Sequence, residues 1–240
     1  MRIYVVLLFA ICSQYAFCQS DNYLHKRYIV ERLSSMPDLQ SGSIQGLPSQ
    51  PAGIIGDVYL TDQFQEASFI LYKDKKSVNG YNSKYDIHRN EFNLITQKGM
   101  RVLNGDLVTS AVCLDSLTKT PHYLFNGKEF KSGSGAPYSG FFELLSEGEM
   151  PLLKKTEVEF IKANFSPALN VGSKDHKYIK KHSFYFLKEG VLQIVPKKKF
   201  FSIFGDKEKA IEEYAKELKL RNEKDLTKIF DYFNSIASNK

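Results

Sequence analysis

The groups in this 240-residue chain that could do chemistry are five histidines, a cysteine at position 113 and a few close carboxylate pairs. The histidines are His25, His88, His122, His176 and His182. No two stand four apart, as a zinc pair on one helix turn would, and there is no His-Glu-x-x-His. Asp86 and His88 are two residues apart, which puts them on one face of a strand and permits a metal pair. The same spacing suits a solvated strand face, and that is the expectation. His176 and His182 are six apart, roughly 20 Å along an extended strand, too far for one site. Cys113 ends the run VTSAVC, where a buried inert thiol is expected rather than a nucleophile. Glu157 and Glu159 alternate beside lysines, as a solvated face does, and no Gly-x-Ser-x-Gly elbow exists. Gly133 and Gly135 lie in KSGSGAPYSG, which lacks the Gly-Lys-Ser/Thr ending and the following helix of a phosphate loop. The sequence therefore assigns no catalytic, cofactor-binding or metal residue, and a non-enzymatic protein is expected.

Three basic clusters remain: Lys154-Lys155, then Lys174, Lys177, Lys180 and Lys181, then Lys197 to Lys199. The second precedes Phe184-Tyr185-Phe186, and interleaved cations and rings suit anionic ligands. Formal net charge is +6, a mild bias towards anionic surfaces.

The elements that must carry these groups read mostly as strands. In YNSKYDIHRNEFNLIT, residues 81–96, Tyr81, Ser83, Tyr85 and Ile87 alternate with Asn82, Lys84, Asp86 and His88. Phe92 and Leu94 resume the period after Arg89-Asn90, which predicts a β-hairpin with one wet face. Glu66 to Tyr72 predicts a central strand, Asn79-Gly80 a turn, Met100 to Leu103 a short strand and Leu107 to Leu114 another. Strands are further expected over Phe141–Ser146, Leu152–Lys162, His176–Leu187 and Val191–Val195. Turn signals recur about every 8–12 residues, as in an antiparallel meander, sandwich or barrel. After Gly205 the period changes. Ile211, Tyr214, Ala215 and Leu218 make one helical stripe behind an Asp206 cap, and Leu226, Ile229, Phe230, Phe233 and Ile236 make a second behind Asn222. High Phe (18) and Tyr (14) with no Trp also suits strands.

The chain opens MRIYVVLLFAICSQYAFCQS. Arg2, the apolar run Ile3–Ile11 and Ala16-Phe17-Cys18 form a secretory signal with cleavage before Gln19, too short to be a membrane anchor. A lipoprotein signal acylated at Cys18 is the other reading, and it is disfavoured by the bulky Phe17. Cys12 and Cys18 would leave with the signal, so Cys113 has no partner for a disulfide.

GDVYLTDQFQEASFILYKDKKSVNGYNSKYDIHRNEFNLI, then MRVLNG and SGFFELLSEGEMPLLKK, resembles a family of exported Bacteroidota proteins of unassigned function. The features that carry the likeness are Gly56-Asp57-Val58-Tyr59, Leu71-Tyr72, Gly80-Tyr81 with Tyr85-Asp86, and Val102-Leu103-Asn104-Gly105. The resemblance implies an exported β-rich protein and brings no site residues.

The expected fold class is α+β: about ten antiparallel strands in a curved sheet, sandwich or partly open barrel, with a C-terminal helical hairpin. The expected organisation is a signal peptide at 1–18, a lead-in segment at 19–52, a β domain at 53–204 and a helical hairpin at 205–240. The leading functional expectation is an exported envelope protein, periplasmic or extracellular, that binds an anionic lipid, a glycan or an envelope protein. It has no nucleic-acid partner and no transmembrane segment in the mature chain. The alternatives are a barrel-like carrier of an apolar ligand, lined by Phe69, Tyr85 and Phe92, and a hydrolase assembled from distant residues.

Overall fold

The structure, a computed structural model, describes residues 54–237 apart from 134, 167 and 168. The expected signal with its cleavage point, His25 and the expected lead-in segment lie outside the described residues. Twelve strands form one sheet: β1 (Ile54–Ile55), β2 (Gln65–Leu71), β3 (Ser77–Asp86), β4 (Glu91–Thr96), β5 (Gly99–Asn104), β6 (Val108–Leu114), β7 (Pro121–Asn126), β8 (Lys131–Ser132), β9 (Phe141–Ser146), β10 (Leu152–Ile161), β11 (His176–Lys188) and β12 (Val191–Ile194). Their order is β5-β4-β3-β2-β6-β7-β9-β10-β11-β12-β8, with β1 on β11. Every pairing is antiparallel except β1 on β11 and β8 on β12. A 3-10 stretch (Phe200–Lys207) leads into helices α1 (Glu208–Tyr214) and α2 (Glu223–Ala237). The class is α+β, a curved, mostly antiparallel sheet carrying a C-terminal helix pair.

The 81–96 hairpin forms as its period requires, in register Tyr85↔Phe92 and Ser83↔Leu94. Asn79-Gly80 is not a turn. It lies inside β3 at a register shift opposite Ala67–Phe69, where Gly80 takes φ +74° and the strand bulges. Asp86 is not on the wet face either. It is only 3% exposed, and its carboxylate accepts from the Arg89 amide at 2.9 Å, capping the hairpin turn.

The physical reason is the segment just before β2. Residues 54 and 55 pair with His176 and Lys177 of β11. Three residues on, the Val58 carbonyl accepts from the Ile87 amide and the Leu60 amide donates to the Tyr85 carbonyl, each at 2.9 Å. Segment 54–60 is thus a strap from β11 to β3, linking two strands that lie far apart in the sheet order. Lys180 Nζ, 3.1 Å from Asp57, fastens it at the β11 end. Tyr59 pairs opposite Asp86, and its hydroxyl accepts from the Asn93 side chain at 3.2 Å, so Asn93 is buried as well.

Alternate strand positions supply three apolar packs. On the inner face, Phe69, Tyr85, Phe92 and Phe141 meet edge-on or tilted with centroids 4.7–5.2 Å apart, a geometry rings favour. On the outer face, Phe142, Leu153 and Leu192 pack under Phe130 and Tyr138. The helices cover Leu152 and Phe186 with Phe200, Phe204, Ile211, Phe230 and Phe233. Phe184-Tyr185-Phe186 is therefore core rather than a ring platform. Asn222 caps α2 as expected, accepting from the Lys224 and Asp225 amides at 2.9 and 3.3 Å. Asp206 is not the cap of α1: it lies inside the 3-10 stretch, and Lys207 stands at the N-cap without a side-chain cap hydrogen bond. α1 is also shorter than its stripe, ending at Tyr214 with Ala215 and Leu218 in the turn beyond.

Candidate functional site

On the inner face, the ring pack and the helix pack are separated by a seam of charge. β9 places Phe141 and Glu143 inward, two residues apart, and β10 places Leu152, Lys154 and Thr156 inward. The register sets Glu143 beside Lys154 and beside Leu124 of β7, two residues from His122. Three strands therefore bring together residues that are scattered in the sequence. His122 Nδ1 lies 2.6 Å from Glu143 Oε1, and Lys154 Nζ lies 2.6 Å from Glu143 Oε2. Lys154 also reaches Glu223, at the start of α2, at 3.2 Å. The order His122–Glu143–Lys154–Glu223 runs from the sheet to the helix pair.

Electrostatics set the protonation states. Burial alone would raise the Glu143 carboxyl, which is 8% exposed, but the His122 hydrogen bond and the Lys154 ammonium outweigh it and hold the group below the ordinary carboxylate range. Burial opposes the charge on Lys154 too, yet Glu143 and Glu223 keep its ammonium above the ordinary lysine range. The hydrogen bond to Glu143 raises His122. Beside these groups is a cavity of about 10 Å³, lined by Leu60, Tyr85, Leu124, Phe141, Glu143, Lys154 and Thr156. That is the space of about one water molecule.

Cys113 is the direct cross-strand partner of His122, a proximity that the sequence could not show. Burial, and then the Glu143 charge, push its thiol up to about 12. A thiol held that high carries almost no thiolate at neutral pH and is a poor nucleophile. Both Glu143 oxygens and Lys154 are occupied by one another and by their neighbours. The cluster can therefore fix the sheet to the helices, and its groups are spent on that contact.

The other expected sites disperse. Asp86 and His88 do not act together: Asp86 caps a turn, and the exposed His88 lies 5.8 Å, centroid to centroid, from the Tyr178 ring. His176 accepts from the Ala163 amide at 3.1 Å, and His182 meets the Thr156 hydroxyl at 3.0 Å. Glu157 and Glu159 are exposed, as expected, and pair with Lys155 and Lys181. Of the three basic clusters, one is fully and one half neutralised. Lys154-Lys155 is wholly paired, and in the second cluster Lys180 holds Asp57 and Lys181 holds Glu159. Among the described residues no group of three or more His, Cys, Asp or Glu gathers to hold a metal ion. No described helix is long and apolar enough to cross a membrane.

The seam has no counterpart in the sequence reading. Lys154 and Glu143 are recognisable as a pair only once a β9–β10 register is known, and Glu223 lies 69 residues further on. No protein-family model, curated protein or solved structure matches this chain.

Proposed function

We propose that this chain is an exported, non-enzymatic protein of the cell envelope that binds another envelope protein through its surface. The observation that carries the reading is the far end of the β10–β11 pair. β9 covers β10 only as far as Lys155, and β12 covers β11 only from Tyr185 onwards, so residues 157–161 and 176–183 run on as an arm whose one further strand is the short pairing of Ile54–Ile55 on His176 and Lys177. On one face of it Ile55, Ile161 and Ile179 gather around Lys177, and all three isoleucines are 40–52% exposed. Phe160 is exposed on the opposite face, and Leu169 and Val171 on the loop between the strands. Clustered exposed apolar side chains mark interaction sites. The rim carries both signs, Glu157 and Glu159 against Lys177 and Lys181, which complements a protein surface of mixed charge rather than an anionic sheet of lipid.

The interior supports the same reading. The rings proposed for an apolar ligand, Phe69, Tyr85 and Phe92, are in contact with one another, and a cavity of about 10 Å³ beside them cannot admit one. A hydrolase would need Cys113 or Glu143 free to react, and burial and ion pairing oppose both. Export is supported by the leader sequence, and mass spectrometry of the cellular protein is expected to find an N-terminus at Gln19.

The test of the binding surface is site-specific photo-crosslinking in cells expressing the full chain. Probes at Phe160 and Ile179 are expected to give one discrete protein adduct, and a probe at Lys219 on the helix side is not. Ile161→Glu is expected to abolish the Ile179 adduct without moving the urea midpoint. Equal labelling at all three sites, or none at the arm, would refute the proposal.

A further inference from the structure

The third basic cluster differs from the other two. Lys197, Lys198 and Lys199 are consecutive and exposed, and no ion pair among the described residues involves any of them. They form the corner where the chain leaves β12 and turns onto the helix face. Lys199 takes φ +54°, and its carbonyl accepts from the Ser202 hydroxyl at 2.7 Å. Immediately beyond, Phe200 and Phe204 are buried against Phe230. The lysine corner is thus a fixed knuckle, anchored from below by two rings. Ile194, 60% exposed, precedes it by three residues. The nearest acids in sequence are Glu189, in the turn at the far end of β12, and Asp206, past the anchoring rings and 3.8 Å from Lys207.

We infer that this knuckle is a docking point for an anionic lipid surface, with the three ammonium groups meeting headgroup phosphates and Ile194 entering the interface. Single-sign charge beside an apolar side chain is what such a surface selects, because each basic residue gains from the negative surface potential and the apolar group gains from leaving water. The arm, with its mixed rim, lacks that character. The knuckle is independent of the arm and draws on the envelope reading only for where such lipid is met.

The test is vesicle co-sedimentation at low salt, using protein expressed from the full chain and purified from whichever compartment it accumulates in. Vesicles containing phosphatidylglycerol are expected to retain the protein, and pure phosphatidylcholine vesicles are not. Lys197→Gln, Lys198→Gln and Lys199→Gln combined are expected to weaken partitioning by about 100-fold. Ile194→Ser alone is expected to weaken it several-fold. A control lowering charge equally on the helix side, Lys209→Gln with Lys219→Gln and Lys224→Gln, is expected to bind within about threefold of the parent. Urea midpoints of all variants report whether the fold is intact. The inference is overturned if the parent ignores anionic vesicles or if the control loses as much as the knuckle variant. It is equally overturned if inorganic phosphate at equal ionic strength displaces the protein where chloride does not, which would mark a site for free phosphate. None of these outcomes bears on the arm, whose crosslinks are read separately.

Discussion

Lys154→Met isolates the charge seam. The Lys154 side chain is 13% exposed and Glu143 10%, so removing the ammonium leaves a nearly dry carboxylate with His122 as its remaining cationic partner. Breaking one side of a buried pair costs about 3–5 kcal/mol, chiefly the expense of the uncompensated charge. The contact to Glu223, 44% exposed, adds little, because exposed pairs contribute about 0–1 kcal/mol. With a urea slope of about 2–3 kcal/mol/M, the midpoint should fall by roughly 1–2 M. Glu143→Leu with Lys154→Met removes both charges and replaces them with apolar groups, so the double variant should recover most of that loss. The assay is urea unfolding of the parent, both single variants and the double, arranged as a thermodynamic cycle. A coupling of about 2 kcal/mol or more is expected. A Lys154→Met cost under about 1 kcal/mol, or additive single effects, would refute the reading that the seam is a dry, mutually compensated network.

Three further outcomes follow from the same geometry. Asn234 of α2 grips the β9–β10 turn, accepting from the Met150 amide at 2.9 Å and donating to the Met150 carbonyl and the Ser146 hydroxyl at 3.2 Å. Asn234→Ala should therefore cost about 2–3 kcal/mol in urea unfolding. Stability against pH should decline on both sides of the seam's optimum. Glu143 is depressed in the folded state, so its contribution is present above about pH 4.3 and is lost as pH falls through the folded value. His122 is raised, so its contribution is present below about pH 6.5 and is lost as pH rises through the folded value. His122→Gln should remove the alkaline decline and, because His122 helps hold Glu143 down, also weaken the acid limb, as read from urea midpoints across pH. Cys113, buried with a thiol near 12, should resist a disulfide reagent at pH 8 in native buffer and react rapidly in urea. Fast native labelling would mean the strand opens locally.

The residues that made the fold legible were those whose neighbours are local. Tyr81, Ser83, Tyr85, Phe92 and Leu94 sit on a period of two that only a hairpin satisfies, and Leu226, Ile229, Phe230 and Phe233 sit on a helical stripe. Misreadings came where a distant segment changes the environment. Asp86 and Asn93 occupy positions that a lone hairpin leaves wet, but the strap lays Tyr59 against them. Gly80 signals a positive φ correctly, and the sheet uses that conformation for a bulge instead of a reversal. Lys154 looked like half of a basic patch because its carboxylates come from another strand and from a helix. The seam was invisible for the same reason: its members are joined by register, which no local pattern encodes.

The strap also governs the order in which this protein can fold. Asp57 and Lys180, which close it, are 123 residues apart in the chain. A chain that emerges N-terminus first carries residues 54–60 without their β11 partner until nearly all the sheet has been made. The β3 contacts of Val58 and Leu60 are local in sequence, but until β11 arrives residues 54 and 55 have no strand partner and Asp57 has no Lys180 to hold it. Long-range closure of this kind is slow and leaves sticky edges exposed meanwhile. During synthesis, the most vulnerable species is therefore the nearly complete chain, just before His176 arrives.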